Sequence, residues 1–203
     1  MVTRAELRSS LRQRLEDTGA GPLWDDTALN DALAGAMRGY GARAPKEATA
    51  TIVVAAGATR IAVAAPVIDP TRIVRVLDGS GVVVERLADG EGLGEGDLGA
   101  AQGWRWWEAT LILQRPATAG SWQIEYLAPR IVPTDDGSPV DLLPGDEEIV
   151  VALAQATALR RRATEDGKRG SRAGGLAALA ETARVEAARL LNARRRRARG
   201  GWL

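Results

Sequence analysis

Leu7, Leu11 and Leu15 recur every fourth residue behind Thr3 and Glu6, which stand at the spacing of a capping box, so the pattern predicts a short amphipathic helix from about residue 4 to 17. Gly19, Gly21 and Pro22 end it. A second helix is expected from Asp25, whose carboxylate can accept from the free backbone donors of the first turn. Trp24 and Leu29 sit at the two positions of a hydrophobic staple. Leu29, Leu33, Ala36 or Met37 and Tyr40 then share one face, and the first 45 residues read as a helical hairpin.

From about 49 to 127 the apolar positions fall into short β-branched runs separated by turns. TATIVVAA and RIAVAA flank Gly57, IVRVL and VVVERL flank the Asp78-Gly79-Ser80-Gly81 turn, and WEATLILQ and WQIEYL flank Pro116 to Gly120. Three successive hairpin signals predict a small antiparallel sandwich or barrel. Between the second and third lies ADGEGLGEGDLGAAQG, expected to be a mobile loop.

Helical spacing returns after an acidic, proline-bearing connector. Pro144-Gly145-Asp146-Glu147-Glu148 is a start signal, with Asp146 as the expected cap and the glutamates at the positive end of the helix dipole. Ile149, Leu153, Ala156 and Leu159 would form its buried face. After a polar break at about 165–173, Leu176, Leu179, Ala183, Ala187 and Leu190 define a last helix that runs into an arginine cluster. The expected fold class is α+β: a helical bundle formed by the N- and C-terminal helices, with an inserted small antiparallel β-sandwich or barrel. The expected boundaries are a helical hairpin over 1–46, the β insertion over 47–130, a helical pair completing the bundle over 131–193, and a tail over 194–203.

Composition narrows the chemistry. The chain has no cysteine and no histidine, which removes disulfides, thiolate nucleophiles, and the commonest general base and metal ligand. The longest uncharged run, Ala48 to Thr59, is far below the roughly 20 residues that cross a bilayer, and the first residues carry charges throughout. The expectation is an intracellular, soluble protein that is neither exported nor membrane-spanning. A net charge of +1 conceals an asymmetry: residues 160–203 hold 13 basic and 4 acidic side chains, or +9, against 14 basic and 22 acidic, or −8, in the rest. Such a dipole suits head-to-tail contact between copies, or an acidic partner for the tail, as readily as nucleic acid.

Each chemical motif has a plain structural reading. Gly94-Glu95-Gly96-Asp97-Leu98-Gly99 fits GxGxxG, but a dinucleotide fingerprint needs a strand before it and a helix after it, and Trp104 onward reads as strand. Glu95 and Asp97 would also repel a pyrophosphate, so no cofactor is expected. The pairs Asp25-Asp26 and Asp135-Asp136, with Asp141, Asp146, Glu147 and Glu148, do not alternate as calcium ligands do; they read as capping and turn residues, or as an acidic surface that an Arg-rich neighbour would meet, and no metal is expected. Trp104, Trp106 and Trp107 place rings on both faces of one strand and read as core or subunit interface rather than a base-stacking platform, because basic residues do not alternate along the neighbouring strands.

The tail is harder to read as structure alone. Cations near the negative end of a helix account for one or two of Arg194, Arg195, Arg196, Arg197 and Arg199, not five. Phosphate contact would use the arginines but not Gly200-Gly201-Trp202-Leu203. Two glycines free the chain from the helix, and Trp202 with Leu203 would gain ~3–5 kcal/mol if a pocket buried them.

The chain resembles the head-to-tail connector proteins of tailed bacteriophages, also called adaptor or head-completion proteins. The resemblance lies in "PLWDDTALNDALAGAMRGY", in "WQIEYLAPR" leading through an acidic loop to "LPGDEEIVVALAQATALRRRA", and in the closing basic helix. It implies a non-enzymatic virion protein of the neck, assembled in the host cytoplasm. Copies would form a ring, commonly twelvefold, beneath the portal protein, continuing the DNA channel toward a downstream tail or stopper protein, with DNA passing non-specifically and no membrane involved. Arg194 to Arg197, Arg199, Trp202 and Leu203 would dock on the portal; Trp104, Trp106, Trp107, Asp135 and Asp136 are interface candidates. The rival reading is a DNA-binding protein gripping phosphate with its arginine tail; a carboxylate-based enzyme is a third.

Overall fold

The computed structural model describes residues 1–64, 67, 69–87, 103–169 and 174–200, the last six as helical backbone only. The chain divides into two compact units, Met1–Ala44 with Pro129–Leu203, and Pro45–Ala128.

The first unit holds four helices: α1 (Arg4–Arg14), α2 (Asp26–Gly41), α3 (Glu147–Lys168) and α4 (Gly174–Gly200). The capping box forms as its spacing predicts, with Glu6 N–H donating to Thr3 Oγ1 at 3.2 Å and Thr3 N–H to Glu6 Oε2 at 2.7 Å. Asp25 caps α2 by accepting from Ala28 N–H at 2.7 Å. The α1 helix stops short of the expected residue 17 because Glu16 adopts φ 55 and turns the chain. Asp17 then clamps the loop that follows: its carboxylate accepts from the backbone N–H groups of Leu23 at 2.5 Å and Trp24 at 3.3 Å, and from Arg12 at 2.8 Å.

The α3 helix is the hub, packed against each of the other three. Its burial extends well beyond one face, through Ile149, Val150, Val151, Ala152, Ala154, Ala158 and Leu159, as a helix surrounded by others requires. On α4 the core positions are Ala180, Ala183, Ala187 and Leu191, while Leu179, expected inside, is 56% exposed. Ala183 and Ala187 are buried as expected, and Leu176 and Leu190 pack on the core partly buried; alanine carries little hydrophobic signal, so the leucine pattern chose Leu179 where Ala180 is the buried position.

The second unit contains β1 (Lys46–Val54), β2 (Arg60–Ala62), a 3₁₀ turn (Pro70–Arg72), β3 (Ile73–Leu77), β4 (Val83–Arg86), β5 (Gly103–Trp107), β6 (Thr110–Leu113) and β7 (Gly120–Ala128). The expected fold class is overturned here. The seven strands make one mixed sheet in the order β1-β7-β3-β4-β5-β6-β2, curled into a half-barrel, rather than a small antiparallel sandwich; nor do the helices form an N- and C-terminal bundle flanking one.

Of the three expected hairpins, only that of β3 and β4 pairs as predicted, across a turn in which Asp78 accepts from Ser80 and Val82 N–H. β1 pairs with β7 and β2 with β6, because the run 46–62 lies as one kinked strand along the run 110–128. The kink is stitched by Gly57 N–H to Ala117 O and Ala117 N–H to Ala58 O, both 2.8 Å. β4 and β5 are parallel, a pairing that a tight turn cannot make. The glycine-rich segment between them, 88–102, with its GxGxxG motif, lies outside the described residues.

WEATLILQ is not one strand. Trp107 pairs with Thr110, so β5 and β6 meet in a two-residue turn at Glu108 (φ 45) and Ala109 (φ 55). The unit's core gathers Val54, Val76, Leu111, Leu113 and Ile124 around Trp104 and Trp122.

Candidate docking site

The basic end of the chain is held at its root by a buried carboxylate. Asp146 was expected to cap α3, yet its side chain makes no capping bond and its backbone (φ −97, ψ 2) lacks the extended conformation of a cap. The carboxylate accepts instead from the Tyr40 hydroxyl, at the end of α2, at 2.5 Å. Arg194 of α4 brings Nε to the same oxygen, an ion pair made by charge rather than by an aligned N–H bond. Three helices are thus tied at one atom whose side chain is 7% exposed. Burial, and then the bond to Asp146, push the Tyr40 hydroxyl up to about 12.

A buried arginine closes the same unit on another side. Arg130 donates through Nε to Ala44 O at 2.6 Å and through Nη1 to Asp141 O and Oδ1 at 3.0 and 2.9 Å, with its guanidinium 5.8 Å from the Tyr40 ring centroid. The order Tyr40, Arg130, Asp141, Asp146, Arg194 spans most of the chain, so no local spacing announces this constellation.

The acidic pairs diverge rather than converge. Asp25 caps α2, while Asp26 binds Arg12 at 2.7 Å. Asp135 accepts from Ser138 Oγ at 2.9 Å, and Asp136 receives Arg4 at 2.6 Å and Arg8 at 2.8 Å. The Arg8 and Arg4 hydrogen bonds hold the Asp136 carboxyl down to about 2, and that of Arg12 lowers Asp26. The cations that meet Asp136 come from its own chain. Among the described residues no group of three or more His, Cys, Asp or Glu side chains can hold a metal.

The three tryptophans separate by depth. Trp104 is in the core, its Nε1–H donating to Val84 O at 3.1 Å and its ring lying under Arg86 at 5.4 Å. Trp106 is half-buried; Trp107 is 60% exposed. Of the tail residues, Arg194 is the one whose side chain is described. Arg195, Arg196, Arg197 and Arg199 belong to α4, which continues through Gly200, so the first glycine does not release the chain as expected. Gly201, Trp202 and Leu203 lie outside the described residues.

The carboxylates and guanidinium groups described above engage one another as struts between helices, the arrangement of a structural scaffold. The family model of the SU10 adaptor protein matches residues 2–202, so the chain belongs to that family of phage head-tail adaptors. The resemblance carried by the terminal motifs is thereby borne out. Adaptors of this family are structural virion components that meet other head and tail proteins. No curated protein matches the chain. No described helix is long and apolar enough to cross a membrane.

Proposed function

We propose that this protein forms an adaptor ring beneath the portal, its partners being its own copies, the portal above and a tail or stopper protein below, with DNA passing through the channel without sequence-specific contact. The observation that carries the reading is the anchored basic helix. Arg194 is tied to Asp146, and the same helix runs on through four further arginines to Gly200, so positive charge is delivered from a fixed root rather than from a loose tail. Arg195, Arg196, Arg197 and Arg199 steer the end toward an acidic cleft on the portal; Trp202 and Leu203 seat in an apolar socket there. The −8/+9 division of charge supplies unlike faces for a ring of about twelve copies, where each subunit offers one surface and receives another.

Deletion of residues 200–203 tests the docking step. The truncated protein should fail to bind portal rings in a sedimentation assay while keeping its salt-dependent affinity for DNA. Normal joining to portal rings would refute the socket, and normal joining together with unchanged salt-dependent DNA affinity would favour the arginine tail as a DNA grip.

A further inference from the structure

Leu23 and Val185 are large apolar side chains left 49% and 55% exposed on the helical unit. Their surroundings match. Val185 lies on an exposed face of α4, with Ala188, Arg189 and Asn192 at helical spacing along it, and the shallow hollow between these side chains is lined by residues of α4 alone. Arg189 is exposed and has no carboxylate partner among the described residues. Leu23 stands on the loop before α2, two residues from Asp25, which is exposed and has no cation partner among the described residues. The loop is not slack: Asp17, 8% exposed, accepts from the N–H groups of both Leu23 and Trp24. A knob held ready in this way loses little freedom on binding.

We infer that Leu23 and Asp25 of one copy seat on this α4 face of the next, Leu23 against Val185 and Ala188, Asp25 facing Arg189. An apolar knob with an acidic neighbour meets an apolar hollow with a basic one, and the occupant is a second copy of this chain. The two surfaces differ, so the contact is heterologous and repeats from subunit to subunit. This names the surface on which the proposed ring closes, and it rests on that reading.

The natural absence of cysteine provides the test. Leu23→Cys and Val185→Cys are prepared as separate full-length proteins; both positions are exposed, and thermal melts confirm that each variant folds. Under mild oxidation, mixing the two should give a mixed disulfide dimer as the main product, with each variant alone giving at most a tenth as much. Asp25→Arg should lower self-association measured by mass photometry at least tenfold, and adding Arg189→Glu to the same chain should restore it. If the wild-type protein forms rings but the mixed dimer is no more abundant than the self-linked products, the contact is wrong and the ring stands. If the wild type stays monomeric both alone and on portal rings, the ring reading fails with it.

Discussion

Replacing Arg194 by alanine removes the cation that shares Asp146 Oδ2 with Tyr40. Breaking a fully buried pair from one side costs about 3–5 kcal/mol, because the remaining charge stays out of water. Two features reduce that figure. The Arg194 side chain is 30% exposed, so solvent already screens it, and Tyr40 continues to donate at 2.5 Å. The loss should therefore be about 2 kcal/mol. In a chain of 203 residues each kcal/mol moves the melting temperature by roughly 2–4 °C, so the helical transition should fall by roughly 4–8 °C. Far-UV circular dichroism on heating reads it. Arg184→Ala, an exposed arginine on the same helix paired with Glu181, is the control and should change stability by less than about 0.5 kcal/mol. Asp146→Asn with and without Arg194→Ala completes a cycle whose coupling should exceed about 1 kcal/mol. Melting of Arg194→Ala together with the control, or a cycle additive within about 0.3 kcal/mol, would show that the latch does not hold α4.

Three further outcomes follow from the geometry. The folded protein keeps the Tyr40 phenol neutral up to about 12 against an ordinary value of 10, so this stabilisation is complete below pH 10 and is lost as pH climbs from 10 to 12; Tyr40→Phe should flatten that part of the alkaline melting profile, and an unaltered profile would refute it. Asp136 works in the opposite sense: held at about 2 against 3.8, it stabilises the fold above pH 3.8 and stops doing so as pH falls toward 2, so Asp136→Asn should remove a step in acid melting that the wild type shows. Ala109 sits at φ 55, where glycine carries no Cβ penalty, and Ala109→Gly should raise stability by about 0.5–1 kcal/mol; a lower melting temperature by calorimetry would contradict the turn assignment.

What the sequence made legible was local. The capping box at Thr3 and Glu6, the Asp25 cap and the buried face through Leu29, Leu33, Met37 and Tyr40 all involve residues within a few turns of one another, where period and cap chemistry act directly. The sheet was misread because pairing there is not local. β1 finds β7 more than 60 residues on, and the Glu108-Ala109 turn lacks the Gly or Asn that marks such turns, so a hairpin hid inside an apparent single strand. Asp146 carried the composition of a cap and was drawn away by Tyr40 and Arg194, neither of them near it in sequence. Membership of the adaptor family was legible from the terminal motifs, while Asp17 and Arg130, which pin loops through backbone groups, left no periodic trace.

The unbroken α4 helix makes the direction of its far end a matter of phase. Each residue advances a helix by about 100° and 1.5 Å, so the six positions after Arg194 reach only about 9 Å, and their bearing is set by the latch. One residue inserted between Ala183, in the core, and Arg194 would swing every later side chain by about 100° or tear the latch from Asp146. Relatives of this chain should therefore conserve that interval in length even where its letters drift, and should vary freely in length only past the latch.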